Sequence, residues 1–237
     1  FQTFFNCIDD LKDKTPGIIP TEQDTIIDLG AYQGFFLYAA KKSWNCRAIA
    51  YDYNRAGIEF AKKALDIDEA ILAHDIYTDT FGIKSRFVTL IHAFEHLRDP
   101  GKFLYHLRRN LLLEDGFLYL EIPNLYGTPL SDPTHFFTYS VDCLTYLLNQ
   151  NGFEVLRVEE HGQPDNEAVQ WRNSRMNISV VAQVMPSMSE VPAPNIDTDK
   201  ILGTIRERYR FLVRRMVGIL ERIRICTTVL PMFFCLE

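Results

Sequence analysis

From Asp24 to about Leu120 the chain alternates short apolar runs with amphipathic stretches, and this alternation narrows the available folds more than any other feature. The runs TIIDL (25–29), RAIAYDYN (47–54), EAILAHDI (69–76), RFVTLIHAF (86–94) and GFLYLEIPN (116–124) are short and rich in β-branched and aromatic residues, and they predict five strands. GFFLYAAKK (34–42), RAGIEFAKKALDI (55–67) and DPGKFLYHLRRNLLL (99–113) read as helices. Asp99 is placed to cap the last of these, with Pro100 at its first position. Strand, helix, strand at a repeat of about 20 residues implies right-handed crossovers and a parallel sheet. Continuous apolar runs fit strands covered on both faces.

The pattern changes after residue 140. SVDCLTYLLNQNGF (140–153) is a helix closed by Asn151-Gly152, and FEVLRVEEH (153–161) and NISVVAQVM (177–185) are strands with no convincing helix between them. They predict an antiparallel pair at the sheet edge. The expected fold is α/β: a Rossmann-like, mostly parallel seven-stranded sheet with an antiparallel edge strand, helices on both faces and a C-terminal helical extension. Residues 1–185 form the main domain, within which 1–20 supply a helical cover. PSMSEVPAP (186–194) is a linker, and residues 186–237 comprise it and an amphipathic helix. In that helix Leu202, Ile205, Tyr209, Leu212, Met216, Ile219, Ile223 and Cys226 follow three-four spacing. Packing on the body, self-association of two chains through residues 200–226, and contact with an anionic membrane surface are its three readings.

Net charge is −6 over 237 residues and is unevenly spread: residues 200–224 carry +6, residues 1–199 carry −11. An acidic body argues against nucleic acid as a partner, because such binding rests on neutralising phosphates. No apolar run approaches the roughly 18 residues of a spanning helix, and no signal peptide is visible. The five cysteines are scattered without a CxxC pair, which fits reduced thiols in a cytoplasmic protein. The first residue is Phe1 rather than Met, so the chain reads as a piece of something longer.

In an open parallel sheet the ligand lies past the carboxyl ends of the strands, where strand order reverses. The first βα turn, DLGAYQG (28–34), is that place. Gly30 permits a sharp turn, Gly34 a close backbone approach, and the following helix offers free N–H groups to an anion. Asp52, at the end of the second strand, is positioned to accept hydrogen bonds from two ribose hydroxyls. The dinucleotide fingerprint GxGxxG does not fit, which disfavours a dehydrogenase.

The turn instead resembles the D/E-x-G-x-G-x-G loop of class I S-adenosylmethionine-dependent methyltransferases, with Tyr32 in place of the middle glycine. AHDI (73–76), LIHAFEHLRDP (90–100), LRRNLLLEDGFLYLEIPN (107–124), HFFTYS (135–140) and NGFEV (151–155) follow in that family's order. The fourth-strand motif, LIHAFEHLRDP (90–100), is similar to that of the group whose members read E-H-L-x-D-P. The resemblance spans about residues 22–185. It implies S-adenosylmethionine as cofactor and S-adenosylhomocysteine as product. It places Asp28 at the methionine amino group through water, and Gly30, Ala31, Tyr32 and Gly34 around the methionine portion. Asp52 would take the ribose hydroxyls, Tyr53 would lie against the adenine, Asp75 would meet its amino group, Ile76 would flank the ring, and the main chain near Ile91 and His92 would lie beside the sulfonium.

The acceptor side gathers His92, Glu95, His96 and His135. On a helical turn, positions 92, 95 and 96 share one face. One reading makes His92, His96 or His135 the general base for an acceptor hydroxyl. A second makes all four residues ligands of a divalent metal, similar to the E-x-x-E-H…H patterns of small-RNA 3′-terminal 2′-O-methyltransferases and ubiquinone-pathway O-methyltransferases. A third has Glu95 and His96 bonding locally while His135 lines the pocket. The leading function is methyl transfer to a small-molecule, carbohydrate- or lipid-linked acceptor, with O-methylation first. Metal-assisted methylation of an RNA or quinol hydroxyl, and a degenerate domain serving assembly, are the alternatives.

Overall fold

The computed structural model describes residues 17–127, 134–162 and 175–186, with further positions among residues 4–15 and 199–207. The chain divides into two units, Phe1–Pro194 and Asn195–Glu237. In the second, Asp199, Lys200, Leu202–Thr204, Arg206 and Glu207 are helical, while Ile205 and the stripe from Tyr209 to Cys226 lie outside the described residues, as do residues 187–194 of the linker.

The first unit is built on one seven-stranded sheet: β1 (Thr25–Leu29), β2 (Arg47–Asp52), β3 (Glu69–Leu72), β4 (Ser85–Ile91), β5 (Leu112–Pro123), β6 (Phe153–His161) and β7 (Asn177–Val184). Their order is β3-β2-β1-β4-β5-β7-β6. The first five are mutually parallel, and β7 runs against both β5 and β6. The expected antiparallel pair is therefore at the edge, with β7 inserted beside β5 and β6 outermost. Among the described residues the helices beside the sheet include α1 (Phe35–Trp44), α2 (Arg55–Ala64), α3 (Pro100–His106) and α4 (Val141–Gln150).

Strand side chains alternate between two cores, as a two-sided sheet requires. Ile27, Ile49, Tyr51, Val88, Leu118 and Leu120 join α3 and α4 in one. Ile26, Ala48, Ala50, Phe87 and Phe117 join α1 and α2 in the other, where Ile8 and Leu11 of the helical N-terminal positions are also buried. Caps fix the helix starts. Asp99 accepts a hydrogen bond from the Lys102 N–H at 2.9 Å, with Pro100 opening α3 as the sequence predicts. Asn54 accepts from the Gly57 N–H at 2.9 Å at the start of α2.

Three element ends depart from the sequence reading, each for a local reason. Strand β3 stops at Leu72 rather than 76, because one carboxylate oxygen of Asp79 accepts from the His74 and Asp75 N–H groups and from the Tyr51 hydroxyl, curling the chain into a turn. Strand β4 stops at Ile91 because His92 adopts a left-handed backbone, φ 51°. The helix expected over 99–113 is regular only to His106, and a wider π-type turn, Leu107–Leu111, delivers the chain into β5 at Leu112.

Phe103 in α3 is fully buried, with its ring 6.1 Å from that of Phe94. Phe103→Ala leaves a cavity at the centre of that core and is expected to lower unfolding free energy by about 3–5 kcal/mol, read as a shift in urea midpoint at unchanged slope.

Candidate active site

Chain direction reverses between β1 and β4: from β1 the chain builds outward through β2 and β3, then returns to lay β4 on the other side. Their diverging carboxyl ends open a cavity of about 460 Å³. Gly30, Tyr32, Asp52, Tyr53, Ile76 and His92, all singled out in the sequence, line it. Tyr51, Tyr77, Ala93, His96, Leu97 and Arg98 complete the wall. Asp28, Ala31, Gly34 and Asp75 do not line it.

The first turn is held by its neighbours rather than by its own side chains. The N–H groups of Gly30 and Ala31 donate to the Tyr51 carbonyl at 2.8 and 3.1 Å. The Tyr32 N–H donates to one oxygen of the Asp52 carboxylate at 2.8 Å, and the Asn54 N–H to the other at 2.6 Å. Gly30 has φ 84°, and a Cβ there would stand 2.5 Å from that of Ala93. Tyr32 also takes a left-handed backbone, φ 48°, and its side chain is 53% exposed at the cavity rim. Gly57 lets α2 approach this turn, since an added Cβ would sit 2.6 Å from the Tyr32 carbonyl oxygen. Gly34 serves packing rather than ligand access: a Cβ on it would meet Ala61 at 3.1 Å and Ile67 at 3.5 Å.

Asp28 lies behind the wall, 3% exposed. Thr89 donates to it at 2.6 Å. Burial pushes its carboxyl up from 3.8 to about 7, against the Thr89 hydrogen bond and with help from the Asp52 charge. Asp75 is exposed and accepts from the Tyr77 N–H at 2.9 Å.

On the acceptor side Glu95 stands between His92 on one side and His96 and His135 on the other. The helical turn is Phe94–His96, so His92 meets Glu95 from outside it. Its N–H donates to the Glu121 carbonyl at 2.7 Å, and its ring lies between two carboxylates, 3.4 Å from Glu121 and 3.6 Å from Glu95. Burial alone would lower its pKa, but the two acids outweigh that and raise it to about 9. The two acids thus favour the protonated ring at neutral pH, which argues against His92 as the base and leaves His96 and His135 for that role. His96, Glu95 and His135 do come together. The N–H groups of Phe136 and Phe137 donate to the Glu95 carbonyl at 3.0 and 3.4 Å, which draws the loop after β5 over the turn. The His96 and His135 ring centroids stand 4.8 Å apart. Arg98 stacks over Phe136 at 5.3 Å. Glu121, with the partner of its far oxygen, His161 at 3.9 Å, is the residue the sequence reading missed. Its signal was a lone acid inside the apolar run GFLYLEIPN.

A methyltransferase-domain family model matches residues 6–158. The chain belongs to that family. No protein of curated function matches the sequence. Among solved structures, the methyltransferase is similar to a Haloferax volcanii complex of the Trm112 methyltransferase activator with a methyltransferase, at 16% identity over 80% of this chain and 92% of that one, TM-score 0.62. It is also similar to a SAM-dependent methyltransferase from Aquifex aeolicus, at 19% identity over 77% and 92%, TM-score 0.58. A third is the glycopeptide N-methyltransferase MtfA complexed with sinefungin, at 12% identity over 77% and 87%, TM-score 0.57. These likenesses are of fold. Among the described residues no helix is long and apolar enough to cross a membrane.

The raised pKa of Asp28 fixes a sign for stability. The folded state binds this proton more tightly than the unfolded chain, so stability is lost as pH rises from about 4 to about 7. Asp28→Asn keeps the acceptor for Thr89 and removes the charge. Its unfolding free energy should match the parent at pH 4 and exceed it by up to about 4 kcal/mol at pH 8, measured by urea denaturation at both.

Proposed function

We propose that this methyltransferase moves a methyl group from S-adenosylmethionine to a hydroxyl of a small-molecule, carbohydrate- or lipid-linked acceptor, releasing S-adenosylhomocysteine. The observation that supports this most is the division of the cavity. Asp52 and Tyr53 stand at the β2 end, where a ribose and base would lie, and His92 and His96 stand at the β4 end. A volume of about 460 Å³ is within the usual range for such a ligand. The Asp52 carboxylate spends one contact per oxygen on backbone N–H groups, and a carboxylate has about four acceptor sites, so two remain for ribose hydroxyls. Tyr53 would lie against the adenine, Ile76 would flank it, and Asp75 would reach its amino group. Gly30 and Ala31 would bound the methionine portion, with Asp28 acting on the ammonium through water.

The bound donor supplies a methyl group on a sulfonium, open to in-line displacement. The protein's part is to align the acceptor and handle its proton. His92, holding its proton between Glu95 and Glu121, orients rather than accepts. His96 and His135 are left to face the acceptor oxygen. Phe136 and Arg98 give the mouth an aromatic and cationic character suited to a ring or an anionic group on the acceptor. Residues 200–226 of this protein, taken as cytoplasmic, are read as a site of self-association beside the alternative of packing within one chain, and light scattering of a chain ending at Met185 tests the former: an unchanged oligomeric state would sink it.

Calorimetry with S-adenosylhomocysteine checks the donor assignment. One equivalent should bind, and Asp52→Ala should weaken it about 10- to 100-fold through loss of charge-assisted hydrogen bonds. No heat at millimolar ligand would sink the assignment.

A further inference from the structure

We propose that Glu95, His96 and His135 form the binding site of a single divalent transition-metal ion at the acceptor end of the cavity. One ligand atom from each of the three lies within 4.8 Å of the others. Ligands about 2.0–2.2 Å from an ion would stand closer together than that, so ion binding would draw the three side chains inward.

Two further observations point to an occupant. Glu95 is 1% exposed, and both of its carboxylate oxygens are buried without a hydrogen-bond partner. The buried Tyr139 hydroxyl is in the same condition. The nearest cationic groups among the described residues are distant, 3.6 Å at His92 and 4.0 Å at His135, and a buried carboxylate without hydrogen bonds costs several kcal/mol, a cost that proteins meet with a cation or a ligand. The neighbouring His92 ring, at 3.6 Å, is beyond hydrogen-bond distance and lies nearer to Glu121, at 3.4 Å.

The second observation is the setting of His96. Its Nδ1 lies 3.1 Å from the Thr134 carbonyl oxygen, which can only accept. That contact fixes the proton on Nδ1 and leaves the Nε2 lone pair for a metal, the arrangement found behind metal-bound histidines. The N–H groups of Phe136 and Phe137 tie the main chain beside His135 to the Glu95 carbonyl, which keeps the third ligand's backbone next to the other two.

Two imidazoles and one carboxylate select zinc, iron(II), manganese or cobalt over magnesium and calcium, which prefer all-oxygen shells. Three protein ligands leave at least one position open, as catalytic sites do. The open position would take the acceptor oxygen and lower its pKa, a task otherwise given to a histidine base. This last step rests on the methyl-transfer reading; the binding of the ion does not.

The experiment is therefore made without donor or acceptor. The full chain is stripped with chelator and titrated with Co²⁺, followed by calorimetry and by visible absorption, with Zn²⁺ as competitor. One equivalent should bind, with a ligand-field spectrum lacking a thiolate charge-transfer band, and Zn²⁺ should displace it. Glu95→Gln and His135→Ala should each weaken binding at least about 100-fold, since loss of even an outer-shell partner costs about 10- to 100-fold. Asp52→Asn, at the other end of the cavity, should leave it unchanged. Thermal melts of each variant establish that it is folded, and His135→Ala alone decides the matter if Glu95→Gln is not. Absence of binding at 1 mM Co²⁺, or binding that survives His135→Ala, overturns the proposal while leaving S-adenosylhomocysteine binding intact.

Discussion

The hydrogen bond from Thr89 to Asp28 ties together the two strands whose ends must part. The residues are register partners on β1 and β4, both are nearly sealed from solvent, and they sit one and two residues before the ends of their strands. Below them the strands are locked by apolar neighbours on both faces. Above them Gly30 and His92 lead in opposite directions and the cavity begins. Deep burial explains both the short contact and the reluctance of Asp28 to ionise. A polar pair at this depth costs stability, and it stands behind the cavity wall rather than in it.

The cavity wall in front of that pair includes backbone in an uncommon state. Gly30, Tyr32 and His92 all have left-handed φ, and two of them carry side chains that disfavour it. Each is held by a bond from elsewhere: Gly30 to Tyr51, Tyr32 to Asp52, His92 to Glu121. Tyr32 therefore does not weaken the turn by standing where a glycine is usual. The Asp52 carboxylate fixes its amide, Gly57 makes room for its carbonyl, and its ring turns to the rim.

Much of this was legible in the sequence, because the strands and helices are set by periodicity and caps that act over a few residues. Asp99 with Pro100, and the apolar runs from Thr25 to Asn124, required nothing distant to be understood. The order of motifs also marked Asp52, Tyr53 and Ile76 as neighbours of one cavity. What the sequence concealed depended on contacts across the sheet. A helical reading of residues 92–96 is reasonable from spacing alone, and it fails because the Glu121 carbonyl, on another strand, captures the His92 amide. Gly34 looked like a ligand contact until α2 was seen packed against it. The strand ending at Leu72 rather than Ile76 follows from Asp79, whose carboxylate collects donors from two segments.

The place of β7 has a consequence for how the chain is made. Strand β5 contributes the fully buried Leu118, Leu120 and Ile122, yet its second neighbour is β7, which arrives more than 50 residues later in the sequence and after β6. A nascent chain that has emerged only through α4 presents β5 as an open, apolar edge with one side unpaired. During synthesis at about 5–20 residues per second, that edge stays available for several seconds to any other extended segment. The hairpin of β6 and β7 thus acts as a closing clasp, and the interval before it forms is the chain's period of greatest exposure to misassociation.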